Sequence, residues 1–429
     1  MTSHSKKNSN LEDMLAFIND SPCCFQVVEN VEKRLLKDGY TELLENERWN
    51  PVPGGKYYVN RNGSSLLAFH LPKKEWEGFR MIASHSDSPC FKIKQNPEIA
   101  GDGPYVRLNV EKYGGMIMST WLDRPLSVAG RIIAGTNGEI RSIPVAVEKD
   151  LLIIPNVAIH MNRDMNKGVE YNPQIDMLPL YGEADRKDSF MKLIAQESGI
   201  SEEEILDYDL FLYNREKGRQ IGAKGEFICS PRLDDLECVY ASLSALLMGK
   251  PEKKINLIAV FDNEEVGSLT RQGAASTFLR DTLLRICEAF HLTEGEYIRR
   301  LADSFMISAD NAHAVHPNHP EKADPSNRPC LNGGIVIKYH GGQKYTTDGI
   351  SGAIMKEICK KAEVPFQTYL NRSDMAGGST LGNISAGQVP VRTVDIGLAQ
   401  LAMHSACETA GSRDVDYLIR ALQSFLTDR

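Results

Sequence analysis

The stretch Ile255–Ser268, INLIAVFDNEEVGS, decides how the rest of the chain is read. Leu257–Phe261 is an apolar run with the length and composition of a buried strand. It stops in three acids within four residues: Asp262, Glu264 and Glu265. Carboxylates gathered at the end of a buried strand repel one another and are costly to desolvate, so the pattern points to a cation. In extended chain, neighbouring side chains point to opposite sides. On that geometry Glu264 and Glu265 take different jobs, one binding a metal and the other facing what the metal activates. The plain alternative is a solvated loop after a strand.

The same pattern recurs on either side. Gly78–Ala83 is a short apolar run that ends in Ser84-His85-Ser86-Asp87. Phe305–Ser308 ends in Ala309-Asp310-Asn311, and the run ending at Ile396 leads on to His404. Helix-like periodicity at Leu233–Met248, Ile350–Ala362 and Val415–Leu426 alternates with these strands. Between about Lys94 and Gly225 the texture changes to short β-like runs such as Tyr105–Val110 and Val128–Ala134, with an acidic, helix-like stretch at Ser201–Asp207. The expected fold is α/β: a discontinuous α/β/α catalytic domain (1–94 and 225–429) with a mixed, mostly parallel sheet, interrupted by a β-rich insert over 95–224. Residues 1–10 read as a loose tail.

The totals bound the function. A chain of 429 residues suits two domains or one large domain with an insertion. A net charge of −8 argues against general nucleic-acid or anionic-membrane binding. The nine cysteines are scattered without a CxxC, which suggests reduced thiols and a cytoplasmic address. No window approaches the length of a membrane span.

In open α/β sheets ligands bind beyond the carboxyl ends of the strands. Here those ends carry His85, Glu264, Glu265 and Asp310, with His404 close behind and Asp234 at the start of a helix. Two histidines with several carboxylates suit zinc, or cobalt or manganese. Two ions sharing one carboxylate can polarise a carbonyl and generate hydroxide near neutral pH. A remaining carboxylate then takes the water's proton. Taken singly, His85 reads equally as a turn histidine and Asp234 as a helix-start carboxylate.

Segments SHSDSPCFKIK (Ser84–Lys94), IPNVAIHMNR (Ile154–Arg163), SPRLDDL (Ser230–Leu236), FDNEEVGS (Phe261–Ser268), SADNAHAVHPN (Ser308–Asn318) and LAQLAMHSACE (Leu398–Glu408) occur in one order along the whole chain. Together they resemble the aspartyl aminopeptidase / aminopeptidase I family of di-zinc exopeptidases. The resemblance implies two zinc ions per subunit, with Asp234 bridging them. His85 and Asp310 complete one site; Glu265 and His404 complete the other. Glu264 is then the general base and acid, and Asp87 holds the far nitrogen of His85. The resemblance also implies that His160, in the insert, reaches the active site of a neighbouring subunit, where it can donate to the developing oxyanion.

His313, Lys338 and Tyr345 are implied to line the substrate pocket. A lysine facing the first substrate side chain would favour Asp or Glu there; Lys344 is a second candidate, and a lysine snorkelling from a strand end is the plain alternative. His313, His316 and His319 form HxxHxxH, but Pro317 keeps them off one helical face. His316 and His319 read as structural or surface groups. Asp235 reads as solvated or as a local hydrogen-bonder, and Asp262 has only local roles. The glycine-rich Asp374–Thr380 brings backbone N–H groups near substrate.

The expectation is thus a metallo-aminopeptidase that removes acidic N-terminal residues from short peptides. It self-associates through the insert as a dimer and, as the resemblance implies, a dodecamer. The rivals are a leucine- or neutral-preferring enzyme of the same family, another hydrolase on the same metal chassis, and a non-catalytic assembly or cargo-binding protein.

Overall fold

The run at Leu257–Phe261 forms the interior of a strand, Lys254–Phe261, that is buried from Ile255 onward. A computed structural model describes residues 9–100, 103–136 and 138–427. The strand sits inside a nine-stranded sheet. Its order is Thr41–Glu42, Lys56–Arg61, Ser65–His70, Lys254–Phe261, Gly78–His85, Phe305–Ala309, Arg392–Gly397, Ile335–Lys338, Phe366–Tyr369. From Lys254–Phe261 to Arg392–Gly397 the neighbours are parallel. Phe261 is in register with His85, and Ala309 with Ile396, so the carboxyl ends of these strands share one edge.

Alternation along the strand explains the two covered faces. Ile258 and Val260 join Ile82, Ile307 and Val394 in a core shared with helices Cys24–Lys37, Leu233–Met248 and Asp414–Leu426. Ile255, Leu257, Ala259 and Phe261 join Met81 and Ala83 against helices Phe278–Ala289 and Glu294–Ala302. Each of the larger side chains among these contributes about 1.5–3 kcal/mol by its burial. Truncating Ile258 to Ala would cost about 2–5 kcal/mol, cavity included. This sheet edge is therefore a stiff platform for whatever sits on it.

A six-stranded antiparallel sheet draws all its strands from between Cys90 and Asn214. Its own core includes Phe91, Val128, Ile132, Phe190 and Leu210. The acidic stretch Ser201–Asp207 does not form the expected helix. A short turn of helix at Glu202–Glu204 gives way to the strand Ile205–Asn214, whose apolar residues pack into that core. A third, five-stranded sheet joins Arg219–Ile221, Phe227–Ser230, Glu408–Gly411, Ala399–Leu401 and Ala312–His313. It ties the segment entering Asp234 to the segment leaving His404. Of the expected tail, residues 1–8 lie outside the described residues, while Ser9 and Asn10 belong to helix Ser9–Asn19.

Candidate active site and metal centre

Asp234 is the hub of the site. Its Oδ1 lies 3.5 Å from His85 Nε2 and its Oδ2 lies 3.4 Å from His404 Nε2. Glu265 Oε1 lies 3.3 Å from the same His404 nitrogen. His85, Asp234, Asp235 and Asp310 form one group of potential ligands within 4.8 Å; Asp234, Glu265 and His404 form a second; His85, Glu264 and Glu265 form a third.

Each side chain is brought here by its backbone. His85 is the last residue of its strand, and Asp310 follows immediately after Phe305–Ala309. Asp234 has non-helical φ/ψ at the start of helix Leu233–Met248, just after Arg232 in the left-handed region. Glu264 and Glu265 are not in extended chain. Asn263 turns with φ 61°, and Glu264–Val266 is a single 3-10 turn. Successive side chains there diverge by about a third of a turn. The two glutamates still part company, but through a helical turn rather than strand alternation. Asn263 fastens this turn: its Oδ1 accepts from Thr270 Oγ1 at 2.7 Å and Gln272 Nε2 at 2.9 Å, and its Nδ2 donates to Tyr113 Oη at 2.8 Å.

The surrounding groups hold the ligands in place. His85 Nδ1 lies 3.1 Å from the main-chain oxygen of Asp87 and 3.4 Å from its Oδ1. The Asp87 carboxylate accepts the N–H groups of Glu264 and Glu265, each at 3.1 Å, and the Tyr113 hydroxyl at 2.7 Å. Asp235 is fully buried, not solvated, and its Oδ2 accepts the His85 N–H at 3.0 Å. Glu408 is buried and spans two candidate ligands, accepting the Asp234 N–H at 3.0 Å and the His404 N–H at 2.7 Å. Asp262 is buried and accepts the N–H of Asn263 at 2.7 Å. Tyr113 and Glu408 were not singled out in the sequence. Their signals were the Tyr-Gly-Gly at 113–115 and the acid closing His-Ser-Ala-Cys-Glu. Gly114 has φ +77°, and a Cβ there would come within 3.1 Å of Glu265 Cβ; the next carbonyl, of Gly115, lies 2.6 Å from His404 Nδ1.

The electrostatics ask for cations. Burial raises the Glu264 carboxyl to about 8, with Asp310, Asp87 and Asp234 pushing the same way and His85 opposing. Burial likewise raises Asp310 to about 6, against the pull of Lys338. Burial pulls His404 down, but Asp234 and Glu265 outweigh it and lift the imidazole to about 10. The histidines thus carry positive charge where metal ions would. Buried oxygens Asp234 Oδ1, Asp235 Oδ1 and Glu265 Oε1 have no hydrogen-bond partner. Buried polar atoms are normally satisfied. Orphaned carboxylate oxygens beside two imidazoles fit metal coordination and little else.

The pocket residues are placed less simply. Lys338 does not snorkel: it is buried, and its Nζ donates to the carbonyls of Asp310 and Asn311, each at 3.1 Å. It also lies 3.7 Å from Asp310 Oδ2 and over the ring of buried Tyr345. Lys344 donates to the carbonyls of Ala376 and Gly377 in the glycine-rich segment. His313 is exposed, with its ring 6.0 Å from that of Tyr369. His316 and His319 are exposed and bridge one another. His160 lies on an exposed turn and is not among the residues gathered around Asp234.

Two imidazoles and buried carboxylates gathered around one shared aspartate, beside the carboxyl ends of parallel strands, are the site of a metal-dependent hydrolase. Comparison with known proteins narrows the class. Residues 17–426 match the family model described as aminopeptidase I zinc metalloprotease (M18). A probable M18 family aminopeptidase 2 of Clostridium acetobutylicum is 47% identical over 425 residues, spanning 96% of this chain and 97% of that protein. A chain of the Ape4 and Nbr1 complex superposes with a TM-score of 0.95 at 35% identity, covering 98% of this chain and 86% of that one. The mApe1 dodecamer of S. cerevesiae gives 0.86 at 28% identity, covering 98% and 97%. The chain belongs to the M18 family of aminopeptidases and is a zinc-dependent peptide hydrolase. Among the described residues no helix is long and apolar enough to cross a membrane.

Proposed function

We propose that this chain is a two-zinc aminopeptidase that removes N-terminal acidic residues from short peptides. The observation that carries the two-metal reading is Asp234, whose two oxygens each face a different histidine at 3.5 and 3.4 Å. His85 and Asp310 would hold one ion with it, and Glu265 and His404 the other. Zinc bound there, or cobalt or manganese in its place, would polarise the scissile carbonyl and make water acidic. Glu264, half-buried and grouped with His85 and Glu265, takes the proton from the attacking water and returns it to the leaving amine. Asp87 sets the position of that glutamate through its backbone N–H. A free substrate α-amine held beside these residues would account for a preference for chain ends.

The charge of buried Lys338 beside Asp310 supports an acidic preference, because its field favours an anionic side chain nearby. A second reading, preference for leucine or other neutral residues, is favoured by the bonds of the same ammonium to two carbonyls, which keep it from reaching a substrate. Hydrolysis of Asp-, Glu- and Leu-amides with zinc, cobalt or manganese added decides between them. An N-acetylated peptide cut as fast as its free-amine form would sink the aminopeptidase mechanism itself.

The segment 95–224 is proposed as the self-association domain, leading to a dimer and a dodecamer in the cytoplasm. Its loop exposes Val157, Ile159, Met161 and Ile175, with Met161 82% exposed. Apolar side chains grouped this way mark a protein interface. His160 stands among them on the same exposed turn, and its proposed role is to complete a neighbour's site.

A further inference from the structure

We propose that Cys229 and Cys407 form a reversible oxidation site, closing to an intramolecular disulfide that clamps the ligand cage. Their sulfurs lie 2.6 Å apart. Both are free thiols and both are half-buried, within reach of a small oxidant. The two segments are already paired: Cys229 is in register with Thr409, and Ser230 with Glu408, so Cys407 lies diagonally across from Cys229 on the same face. Sulfurs this close need little further movement to join.

The surroundings favour the chemistry. Arg219 is in register with Cys229 on the other side, and Arg124 lies nearby, ion-paired with Glu216. The hydrogen bond from Cys407 and the charge of Arg219 bring the Cys229 thiol down to about 6, while the neighbouring thiolate pushes Cys407 up. A thiolate next to a protonated resolving thiol is the arrangement of redox-active cysteines. By contrast, Cys23 and Cys24 are buried, and exposed Cys330 has its Sγ 3.7 Å from the Arg328 carbonyl rather than against a second sulfur.

The oxidant would be hydrogen peroxide. Cys229 thiolate attacks one peroxide oxygen, giving a sulfenic acid and, with a proton, water. The Cys407 sulfur then attacks the Cys229 sulfur. Its thiol proton leaves with the sulfenic hydroxyl as a second water. The two sulfurs together lose two electrons and the peroxide gains two. A dithiol reductant reverses the reaction. The consequence follows from the sequence around the bond. Cys229 leads through Ser230-Pro231-Arg232-Leu233 into Asp234, and Cys407 precedes Glu408, which holds the N–H groups of Asp234 and His404. A covalent tie there prevents these two ligand segments from separating.

The disulfide does not depend on the metal assignment; its effect on zinc does, and the two are read separately. Zinc-loaded protein is treated with equimolar hydrogen peroxide, its remaining thiols are alkylated, and its peptides are mapped by mass spectrometry. The expected result is a Cys229–Cys407 crosslink, absent after dithiothreitol and absent in Cys229→Ser. Peroxide that leaves both thiols alkylatable, or that joins either to another cysteine, overturns the site. This mapping uses the unmutated protein, so it stands even if the variant folds poorly. Zinc release to a chromogenic chelator should be about tenfold slower in the oxidised form, the low end of what groups behind the ligands contribute to metal affinity. A mapped crosslink with unchanged release overturns the clamp, whereas protein that binds no zinc in either state overturns the metal assignment.

Discussion

Asp87 holds Glu264 by its backbone: Asp87 Oδ1 accepts the Glu264 N–H at 3.1 Å, while the other oxygen accepts the next N–H, of Glu265. One carboxylate thus sets the turn that separates Glu264, proposed to handle the proton, from Glu265, proposed to face a metal. Its main-chain oxygen meanwhile meets His85 Nδ1 at 3.1 Å. The imidazole's partner is therefore chiefly the Asp87 carbonyl, and the Asp87 side chain serves the glutamate turn.

Asp87→Asn places an amide where two backbone donors need acceptors. Zinc affinity and kcat should each fall about 10–100-fold, as is usual for groups behind metal ligands. Tyr113→Phe removes a hydroxyl that donates to Asp87 and accepts from Asn263 but leaves both backbone N–H bonds to Asp87 in place, and should cost much less. Kinetics and zinc titration of both variants check this; equal losses would mean that Tyr113, not the backbone clamp, sets the turn.

Glu408 offers a second test. It is buried and serves no reacting group, yet it joins the loops of Asp234 and His404. Glu408→Gln keeps the shape but turns one acceptor into a donor facing an N–H. Zinc affinity should fall about 10–100-fold. KM measured at saturating zinc should stay unchanged, because substrate contacts are left intact. A rise in KM at full zinc loading would place Glu408 in the substrate pocket instead.

Much of this arrangement was legible before any coordinates. A strand buried on both faces reads as an uninterrupted apolar run, so Leu257–Phe261 and the polar residues at its end stood out. What lay hidden was set by tertiary contact. The turn at Asn263 depends on Thr270 and Gln272 in the loop that follows and on Tyr113 from the second sheet. Ile205–Asn214 begins in acids that suggest a helix, and only the core of the second sheet selects the strand. Lys338 ends an apolar strand as a snorkelling lysine would, and the carbonyls that draw it inward belong to a different strand's end.

Removing the metals should make stability strongly pH-dependent. In the metal-free protein Glu264 is raised from 4.5 to about 8 and Asp310 from 3.8 to about 6. A carboxyl whose folded value is raised binds more protons folded than unfolded. Its stabilisation is complete below the unfolded value and is lost as pH rises to the folded one. Metal-free protein should therefore lose stability progressively from about pH 4 to about pH 8. Zinc-loaded protein should not, since the ions balance the ionised carboxylates. Thermal melts across that range, with and without chelator, make the comparison. Parallel pH profiles for the two forms would show that these carboxylates are not the ones zinc neutralises.

The exposed position of His160 leads to a prediction about mixed assemblies. If it completes a neighbour's site, His160→Ala and Glu264→Gln homo-oligomers are each nearly inactive, for different reasons. Glu264→Gln should lose about 10²–10⁴-fold in kcat while keeping its zinc. In a mixed dimer, the His160→Ala subunit retains Glu264 and receives an intact His160 from its partner. That subunit regains a full site. Co-refolded or co-expressed mixtures should therefore recover activity in proportion to the fraction of hetero-pairs, quantified by differential tags. Confirmed hetero-pairs with no activity would show that His160 acts within its own chain or not at all, and would leave the exposed loop as a contact surface without a catalytic share.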